Sequence, residues 1–429
     1  MGSILVLYHA PHLPLRTTVS DHLNSIRRYS GRSCIYINLA RRRIPAWIDR
    51  MHIDLVVLHT ILLSTRWEPE LFAEMAQRME PIQRLSCPVI AIPQDEFLNT
   101  DPLNDLLREF RVSHVFTCAA ERDWEAIYGP VLAEGVRLTR VLTGYVEPAT
   151  VARIEKQARR NTRRDIDIGY RSWRPEPWLG RHGMLKGRIA EAFAKRAPAR
   201  GLKLDISMDH METLLGDAWY GFLLRCRYTI GVEGGASIHD RDGSIRRCVD
   251  ATLASNPCAS FEAIEAACFP GLDGRFGLRA ISPRHLEAAA TRTPQILIEG
   301  EYNGILEAGR HYIPLKADFG NMDEVLDEVA TARMGSTVAQ RAYDDVIASG
   351  RYGYDSFVRT LLSDVHDTPK VRAAPLFAVR GLGAWDRATN APAWRQFILR
   401  ETLRKVRLLS FARRARATLR RRLLHQGAE

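Results

Sequence analysis

The sequence lacks any apolar run approaching the ~20 residues that a membrane-spanning helix needs. Its first residues carry no charged head like that of a signal peptide and are typical of a β-strand. It has no Cys-x-x-Cys pair, and its seven cysteines are odd in number. A zinc site is therefore not indicated, and buried free thiols are favoured over disulfides. These absences together predict a cytoplasmic globular protein.

The net positive charge is small in most of the chain and concentrated at its end. The net charge is +11, but residues 395–429 contain eleven Lys or Arg and two Glu, a net of +9, which leaves +2 for the first 394 residues. Apolar residues recur every three or four positions between Leu399 and Leu423. Residues 395–425, called the basic tail below, are therefore predicted to form a basic amphipathic helix that lies on an anionic membrane.

A chain of 429 residues is expected to form two domains. Six strand-like runs alternate with helix-length segments in residues 1–150, which predicts one doubly wound parallel α/β domain. The same alternation returns in residues 151–366, interrupted by an irregular insertion at 238–283. Residues 367–429 are predicted to form a linker followed by the basic tail. The cleft between the domains is the expected ligand site.

Three loops at predicted strand ends of the second domain carry residues suited to an anionic ligand. The first contains Arg171 at its strand end and then Arg181 and Lys186 at a helix start. The second follows a strand with glycines, which let backbone amides approach an anionic oxygen. Its candidate residues are Glu233, Gly234, Gly235 and Ser237. The third places Arg284 and Glu287 at a helix start, where a carboxylate can accept two hydrogen bonds from a ribose diol.

These loops resemble the donor-nucleotide segments of GT-B glycosyltransferases. Glu287-Ala-Ala-Ala-Thr-Arg-Thr-Pro294 stands where the family has Glu-Ala-Met-Ala-Cys-Gly-x-Pro before a strand. Gly180-Arg-His-Gly-Met-Leu-Lys-Gly187 matches the spacing of Gly-Arg-x-x-x-x-Lys-Gly. Glu233-Gly-Gly-Ala takes the place of Glu-Gly-Phe-Gly. Residues 297–316 are similar to bacterial surface-polysaccharide glycosyltransferases, including the spore-maturation-protein-like branch.

The resemblance implies the GT-B fold, with two doubly wound Rossmann-like domains facing across a cleft and a basic C-terminal helix added. It implies that the basic residues of the first loop neutralise the donor diphosphate and that Glu287 binds the ribose. Many family members have a second Glu eight residues earlier, where this chain has Arg279. The contact to the donor sugar is therefore assigned to Glu233 or is lost. The glycine-rich first loop of many members is also absent, and Ala10-Pro-His-Leu-Pro-Leu-Arg16 replaces it.

Glycosyl transfer needs a group that activates the acceptor hydroxyl or stabilises the leaving phosphate. In the first domain, His59, Asp95 and Glu96 follow predicted strands and face the same cleft in a parallel sheet. His9 and His12 are comparable candidates. For each of them, a packed imidazole or a capped loop is the alternative interpretation.

The expected activity is transfer of a sugar from a nucleotide-diphosphate donor to a cell-surface glycan or lipid-linked acceptor, by an enzyme peripheral to the inner membrane. No Asp-x-Asp follows a strand, so a metal-independent enzyme without a cofactor is expected, in which basic residues and helix dipoles stabilise the diphosphate. Nucleic acid is not expected as a partner, because no nucleic-acid-binding motif accompanies the basic tail. The alternatives are a GT-B epimerase or phosphorylase, and a non-enzymatic scaffold recruited to membrane or nucleic acid by the tail.

Overall fold

The computed structural model describes residues 3–160 and 163–363, together with positions 388, 390, 391, 395 and 398. Two separate parallel sheets organise the chain, and each is covered by helices on both faces. The first lobe is built on a six-stranded sheet and the second lobe on a five-stranded sheet. The predicted fold class, two doubly wound Rossmann-like domains facing across a cleft in the GT-B arrangement, is confirmed. The predicted basic C-terminal helix lies almost entirely outside the described residues.

Five of the six strands of the first lobe are largely buried, because helices cover both faces of a parallel sheet, whereas the strand at the far edge of the sheet, Arg137–Arg140, is partly exposed. The strand order is β2-β1-β3-β4-β5-β6, and every pair is parallel. The strands are β1 (Ser3–Tyr8), β2 (Ser33–Asn38), β3 (Ile53–Leu58), β4 (Val89–Ala91), β5 (Val112–Thr117) and β6 (Arg137–Arg140). The helices are α1 (Thr17–Tyr29), α2 (Thr60–Leu63), α3 (Pro69–Met79), α4 (Thr100–Glu109) and α5 (Trp124–Leu132). Since the order reverses between β1 and β3, a crevice opens at the carboxyl ends of these strands.

Helix α6 (Pro148–Ala158) leads from the first lobe to the second. The second sheet has the order β13-β12-β9-β7-β8, the same winding as the first. Its strands are β7 (Ile166–Arg171), β8 (Leu204–Ser207), β9 (Cys226–Gly231), β12 (Gln295–Ile298) and β13 (Ile313–Leu315). Its helices include α7 (Gly180–Arg196), α8 (Asp217–Arg225), α11 (Pro283–Ala290), α12 (Met322–Thr331) and α13 (Gly335–Ala342). A π-helical turn, Tyr343–Ala348, continues α13.

The insertion of the second lobe packs into the hydrophobic core of the first lobe. It contains α9 (Ser244–Ser255) and α10 (Phe261–Cys268), and it is joined to the second lobe by an antiparallel ribbon of β10 (Gly234–Ala236) and β11 (Leu278–Ala280). Ile245, Val249 and Phe269 share one buried cluster with Leu98 and Leu103. The amides of Asn99 and Asp101 also donate to the carbonyls of Asp240 and Arg241.

One expectation about the cysteines was wrong. Cys248 on α9 and Cys268 on α10 form a disulfide, although twenty positions separate them in the sequence. The packing of the two helices brings the thiols together, and no local motif signals that approach. Cys34, Cys118 and Cys226 are buried free thiols, as expected.

The last described helix, α14 (Tyr354–Ser363), differs from the expectation that the final helices close the second domain. Phe357, Val358 and Leu361 of this helix are buried in a cluster with β1 and α1 of the first lobe. The chain therefore crosses back to the first lobe after α13. Together with α6 and the insertion, this crossing connects the lobes by several routes and fixes the cleft between them.

Candidate functional site

The carboxyl ends of both sheets face a cavity of about 510 Å³ between the lobes, called the central cavity below. A smaller space of about 220 Å³, called the side pocket, adjoins it on the second lobe. The two spaces share a wall formed by Arg16, Ser172, Trp173, Ser282, Pro283 and Arg284. An elongated ligand can therefore occupy both at once.

Three basic side chains from both lobes converge at the shared wall and the central cavity. Arg16 precedes α1 of the first lobe, whereas Lys186 and Arg284 lie on α7 and α11 of the second. Within the described residues none of the three has an ion pair, and Arg284 donates to the carbonyl of Arg171 at 2.7 Å. Burial lowers the pKa of Lys186, and the charge of Arg284 lowers it further. The pKa of Arg16 is lowered in the same way. An anion would relieve this repulsion, so the cluster is suited to phosphate oxygens.

Asp95 reaches the central cavity from the opposite, first-lobe side. It follows β4 in a left-handed backbone conformation with φ 56°, which is uncommon for a residue other than glycine and is often found at functional sites. No hydrogen bond to its carboxylate is found within the described residues. Enclosure by the cleft raises the pKa of Asp95, while the charges of Arg66 and Lys186 oppose that rise. A carboxylate held in this way is suited to accept a proton from a hydroxyl group.

Arg66, only 1% exposed, holds the Asp95 loop from behind. Its guanidinium donates to the carbonyls of Gln94 and Asp95 at 2.7 and 2.6 Å and to those of Leu63 and Leu98 at 3.0 Å each. These bonds replace the water that a buried charge loses. Arg66 therefore fixes the unusual backbone that directs Asp95 into the cavity.

Two other predicted catalytic residues do not reach the cleft. Glu96 is fully buried and accepts hydrogen bonds from the Thr117 hydroxyl and, at 3.0 Å, from the Cys118 amide. His59 is also fully buried, with its Nε2 atom 2.8 Å from Nδ1 of His22. Burial lowers the pKa of His59 well below its usual value. Both residues therefore correspond to the alternatives weighed for them, a capped loop and a packed imidazole. Like these two, His9 and His12 line neither space.

The side pocket combines a carboxylate with an aromatic wall. Glu287 on α11 lines it and accepts a hydrogen bond from Nε1 of Trp219 at 2.8 Å. Burial raises the pKa of Glu287, and this bond and the charge of Arg284 act against the rise. Trp173 lies across the pocket with the Arg16 guanidinium 4.7 Å from its ring. A carboxylate beside flat apolar surface is suited to a nucleoside, with its diol on Glu287.

The loop after β9, called the glycine loop below, places Gly234 and Gly235 against the central cavity. Gly235 has φ 119°, and an added Cβ would lie 1.9 Å from the carbonyl oxygen of Leu278. Only glycine fits this position without a shift of the β10–β11 ribbon. Gly235 thus allows the close pairing of β10 with β11 that forms this side of the cavity.

Glu233 and Arg171 are close to the site, but their side chains are engaged elsewhere. The Glu233 carboxylate accepts the Tyr302 amide at 2.6 Å and caps the turn after β12, and it lines neither space. The guanidinium of Arg171 donates to Asp205 at 2.6 Å and lies over the Phe222 ring. It is therefore the carbonyl of Arg171, through Arg284, that contributes to the cation cluster.

Arg181 and Ser237 stabilise the start of α7 instead of lining the cavity. Arg181 forms ion pairs with Glu265 and Asp273 at 2.6 and 2.8 Å. The Ser237 hydroxyl accepts the His182 amide at 3.1 Å and donates to Asp273 at 2.6 Å. These partners occupy the first amides of α7, which are therefore not open to an anion. The structure brings together Lys186, Arg284, Glu287, Asp95 and the two glycines.

Four residues of the site were not among the sequence candidates: Arg16, Arg66, Trp173 and Trp219. Arg16 could have been found from the sequence, because it ends the loop after the first strand and directly precedes a predicted helix. The other three depend on contacts across loops that no local pattern shows.

Within residues 3–160 and 163–363 and the few described positions beyond, no group of three or more His, Cys, Asp or Glu side chains is placed to hold a metal ion. In the same part of the chain, no helix is both long and apolar enough to cross a bilayer.

No protein-family model matches this chain, and neither does any curated protein. Several solved structures do match this chain. HepE from Anabaena, determined in complex with UDP-glucose, is 11% identical over 84% of this chain and 99% of its own, with a TM-score of 0.43. Sucrose-phosphate synthase from Thermosynechococcus elongatus is 11% identical over 85% and 98%, with a TM-score of 0.46. AviGT4, a glycosyltransferase involved in avilamycin A biosynthesis, is 11% identical over 85% and 97%, with a TM-score of 0.44. Similarity at this level concerns the fold and says nothing about the activity of this chain.

Proposed function

We propose that this chain transfers a glycosyl group from a nucleoside diphosphate sugar to a hydroxyl of an acceptor. The observation that carries the proposal is the convergence of Arg16, Lys186 and Arg284, without ion-pair partners in the described residues, between a nucleoside-sized pocket and a larger cavity. A donor of this class has the same order of parts: a nucleoside, two phosphates and a sugar.

The donor is placed by matching each part to the chemistry beside it. The nucleoside occupies the side pocket, where Glu287 accepts hydrogen bonds from the ribose diol. The diphosphate lies among the three cations and requires no metal ion for its charge. The sugar then extends into the central cavity, between the glycine loop and Asp95.

The reaction needs a proton acceptor and a stabilised leaving group. The acceptor oxygen forms a bond to the anomeric carbon while the bond from that carbon to the phosphate oxygen breaks. Asp95 takes the proton of the acceptor hydroxyl, and Arg16, Lys186 and Arg284 stabilise the charge that develops on the departing diphosphate. Because the cations are already in place, they need little reorganisation during the reaction.

The proposed acceptor is a cell-surface glycan or a lipid-linked glycan. An aromatic wall of Trp67, Phe97 and Trp178 borders the central cavity beside Asp95, and such surfaces suit the apolar face of a sugar ring. The basic tail supports a position at the cytoplasmic face of the inner membrane, where such acceptors are anchored. This assignment depends on the composition of residues 395–425, since they lie beyond most described positions.

The second candidate function is a scaffold recruited by its tail. A scaffold function does not explain why partly buried cations lie beside the carboxylate of the side pocket. A thermal-shift panel of UDP, GDP, ADP, CMP and dTDP on the full chain separates the two, with inorganic pyrophosphate as the control for nonspecific phosphate binding. A ligand at about 100 times its dissociation constant adds ~2.7 kcal/mol to the free energy of unfolding. We expect one diphosphate to stand out, and the matching nucleotide sugar then to release that diphosphate in the presence of acceptor. A flat panel, or one equalled by pyrophosphate, would favour the scaffold.

A further inference from the structure

The loop that follows β2 carries basic side chains and an exposed tryptophan. Residues 41–50 contain four arginines and one aspartate, Asp49. Arg43 and Arg50 are exposed, and Trp47 is 46% exposed. A large aromatic ring at the surface among arginines is unusual for a simply solvated loop, because its burial would be favourable. Arg43, Trp47 and Arg50 together are called the arginine–tryptophan face below.

The C-terminal part of the chain returns to the same edge of the first sheet. Asn390 is buried there, and its side chain bonds to the Tyr8 hydroxyl at 3.1 Å and to the Asn38 amide at 3.0 Å. Tyr8 and Asn38 are the last residues of β1 and β2. Arg395, where the basic tail starts, is five residues further on, which corresponds to at most about 17 Å of extended chain. The tail therefore begins close to the loop that follows β2.

The same edge leads to the central cavity. The side chain of Asn38 exchanges hydrogen bonds with the backbone of Ala10 at 2.9 Å, and Arg41 donates to the Pro11 carbonyl at 2.6 Å. These bonds connect the loop after β2 to the loop after β1. The loop after β1 ends at Arg16, which lines the cavity. The loop that carries the arginine–tryptophan face is thus held against the loop that leads to the cleft.

We propose that the arginine–tryptophan face binds an anionic bilayer surface, the same surface that the composition of the basic tail favours, with the Arg16 side of the cleft turned toward the lipid. Exposed arginines are attracted to anionic headgroups, and tryptophan partitions into the interface between headgroups and acyl chains. An acidic polysaccharide would also attract the arginines, but its charge gives no role to the exposed ring of Trp47. Only the orientation of the cleft toward an acceptor rests on the proposed function, since the lipid contact is independent of glycosyl transfer.

The test is co-sedimentation of the full chain with vesicles of phosphatidylglycerol and phosphatidylcholine. A variant carrying Arg43→Glu, Trp47→Ala and Arg50→Glu is compared with a matched control on the second lobe, Arg333→Glu with Met334→Ala, whose two positions are also exposed. We expect the partition coefficient of the face variant to fall by on the order of tenfold or more, because two reversed charges and one interfacial ring are lost. The control is expected to bind like the original chain. Vesicles of phosphatidylcholine alone are expected to bind none of the three proteins.

Unchanged vesicle binding by the face variant would overturn the proposal and leave the tail as the only lipid contact. Loss of binding to a soluble acidic polysaccharide, with vesicle binding retained, would overturn it in favour of a glycan. Thermal shifts with the selected nucleoside diphosphate are measured on the same samples to show that the variants are folded. Vesicle binding without any nucleotide response would contradict the proposed function and leave this inference standing.

Discussion

Replacement of Lys186 by Met tests the cation cluster most directly. The methionine side chain retains much of the apolar stem of this half-buried residue and removes only the ammonium group. A charge-assisted hydrogen bond to a phosphate oxygen is worth about 1.5–3 kcal/mol, so the dissociation constant of the nucleoside diphosphate should rise by about 10- to 150-fold. The affinity for the corresponding nucleoside, which does not reach the ammonium group, should not change.

The same substitution has the opposite effect on the ligand-free protein. The pKa of Lys186 is lower in the folded chain than in an unfolded one, because burial and the Arg284 charge disfavour the protonated form. Folding therefore disfavours the protonated form of this lysine. The resulting loss of stability is fully present at pH values below the pKa of Lys186 in the folded chain, and it disappears above its pKa in the unfolded chain. At neutral pH the Lys186→Met protein should be at least as stable as the original, although it binds the diphosphate more weakly.

Isothermal titration with the selected diphosphate and its nucleoside measures the first effect, and denaturant unfolding without ligand measures the second. Lys203→Met, at an exposed position on the same lobe, is the matched control and should change neither quantity. Equal loss of affinity for the nucleoside and the diphosphate would refute the placement of the phosphates beside Lys186. A large loss of stability would refute the view that the lysine is strained by its surroundings.

Three further substitutions and one disulfide test the rest of the site. Asp95→Asn should lower kcat by about 10²- to 10⁴-fold with little change in donor KM. The base must be deprotonated, and the pKa of Asp95 is raised. As the pH decreases, kcat/KM of the original enzyme should therefore begin to fall at a higher pH than it would with an ordinary aspartate. Arg66→Met leaves four carbonyls without this donor, two of them buried, so it should lower both kcat and the free energy of unfolding, the latter by about 2–6 kcal/mol. Glu287→Gln should weaken nucleoside binding by about 10- to 150-fold in titrations, with no loss of stability. Replacement of Cys248 and Cys268 by serine should lower the free energy of unfolding by about 3 kcal/mol in denaturant titrations, because the loop closed by the disulfide is about twenty residues long.

Patterns that repeat along the chain predicted the fold and part of the site. Alternating strands and helices have a period that the sequence displays, and parallel winding then places all strand ends at one edge. Lys186, Arg284 and Glu287 could be located because each lies at the start of a helix or within its first turns after a strand. The ends of elements were less accurate. The sequence pattern predicts a helix over residues 212–225, but α8 starts at Asp217, because Gly216 has a positive φ of 56° that is incompatible with a helix.

The errors concern side-chain direction, which depends on distant partners. Asp95 and Glu96 are adjacent in sequence, yet Arg66 holds the first toward the cavity while Thr117 binds the second in the core. Glu233 is drawn to the Tyr302 amide, which is sixty-nine positions away. A strand end therefore indicates where a residue lies, but its hydrogen-bond partners determine which way it points.

The arrangement of the lobes explains why the cation cluster can exist without a ligand. Arg16 belongs to the first lobe and Arg284 to the second, so their mutual repulsion acts against closure of the lobes. The insertion, α6 and α14 all cross between the lobes, and the insertion is buried in the core of the first. Hydrophobic burial on that scale exceeds the repulsion among three partly solvated charges by a wide margin. The protein can therefore keep the site open and preorganised for an anion, and the repulsion that burial overcomes becomes binding energy when a diphosphate enters.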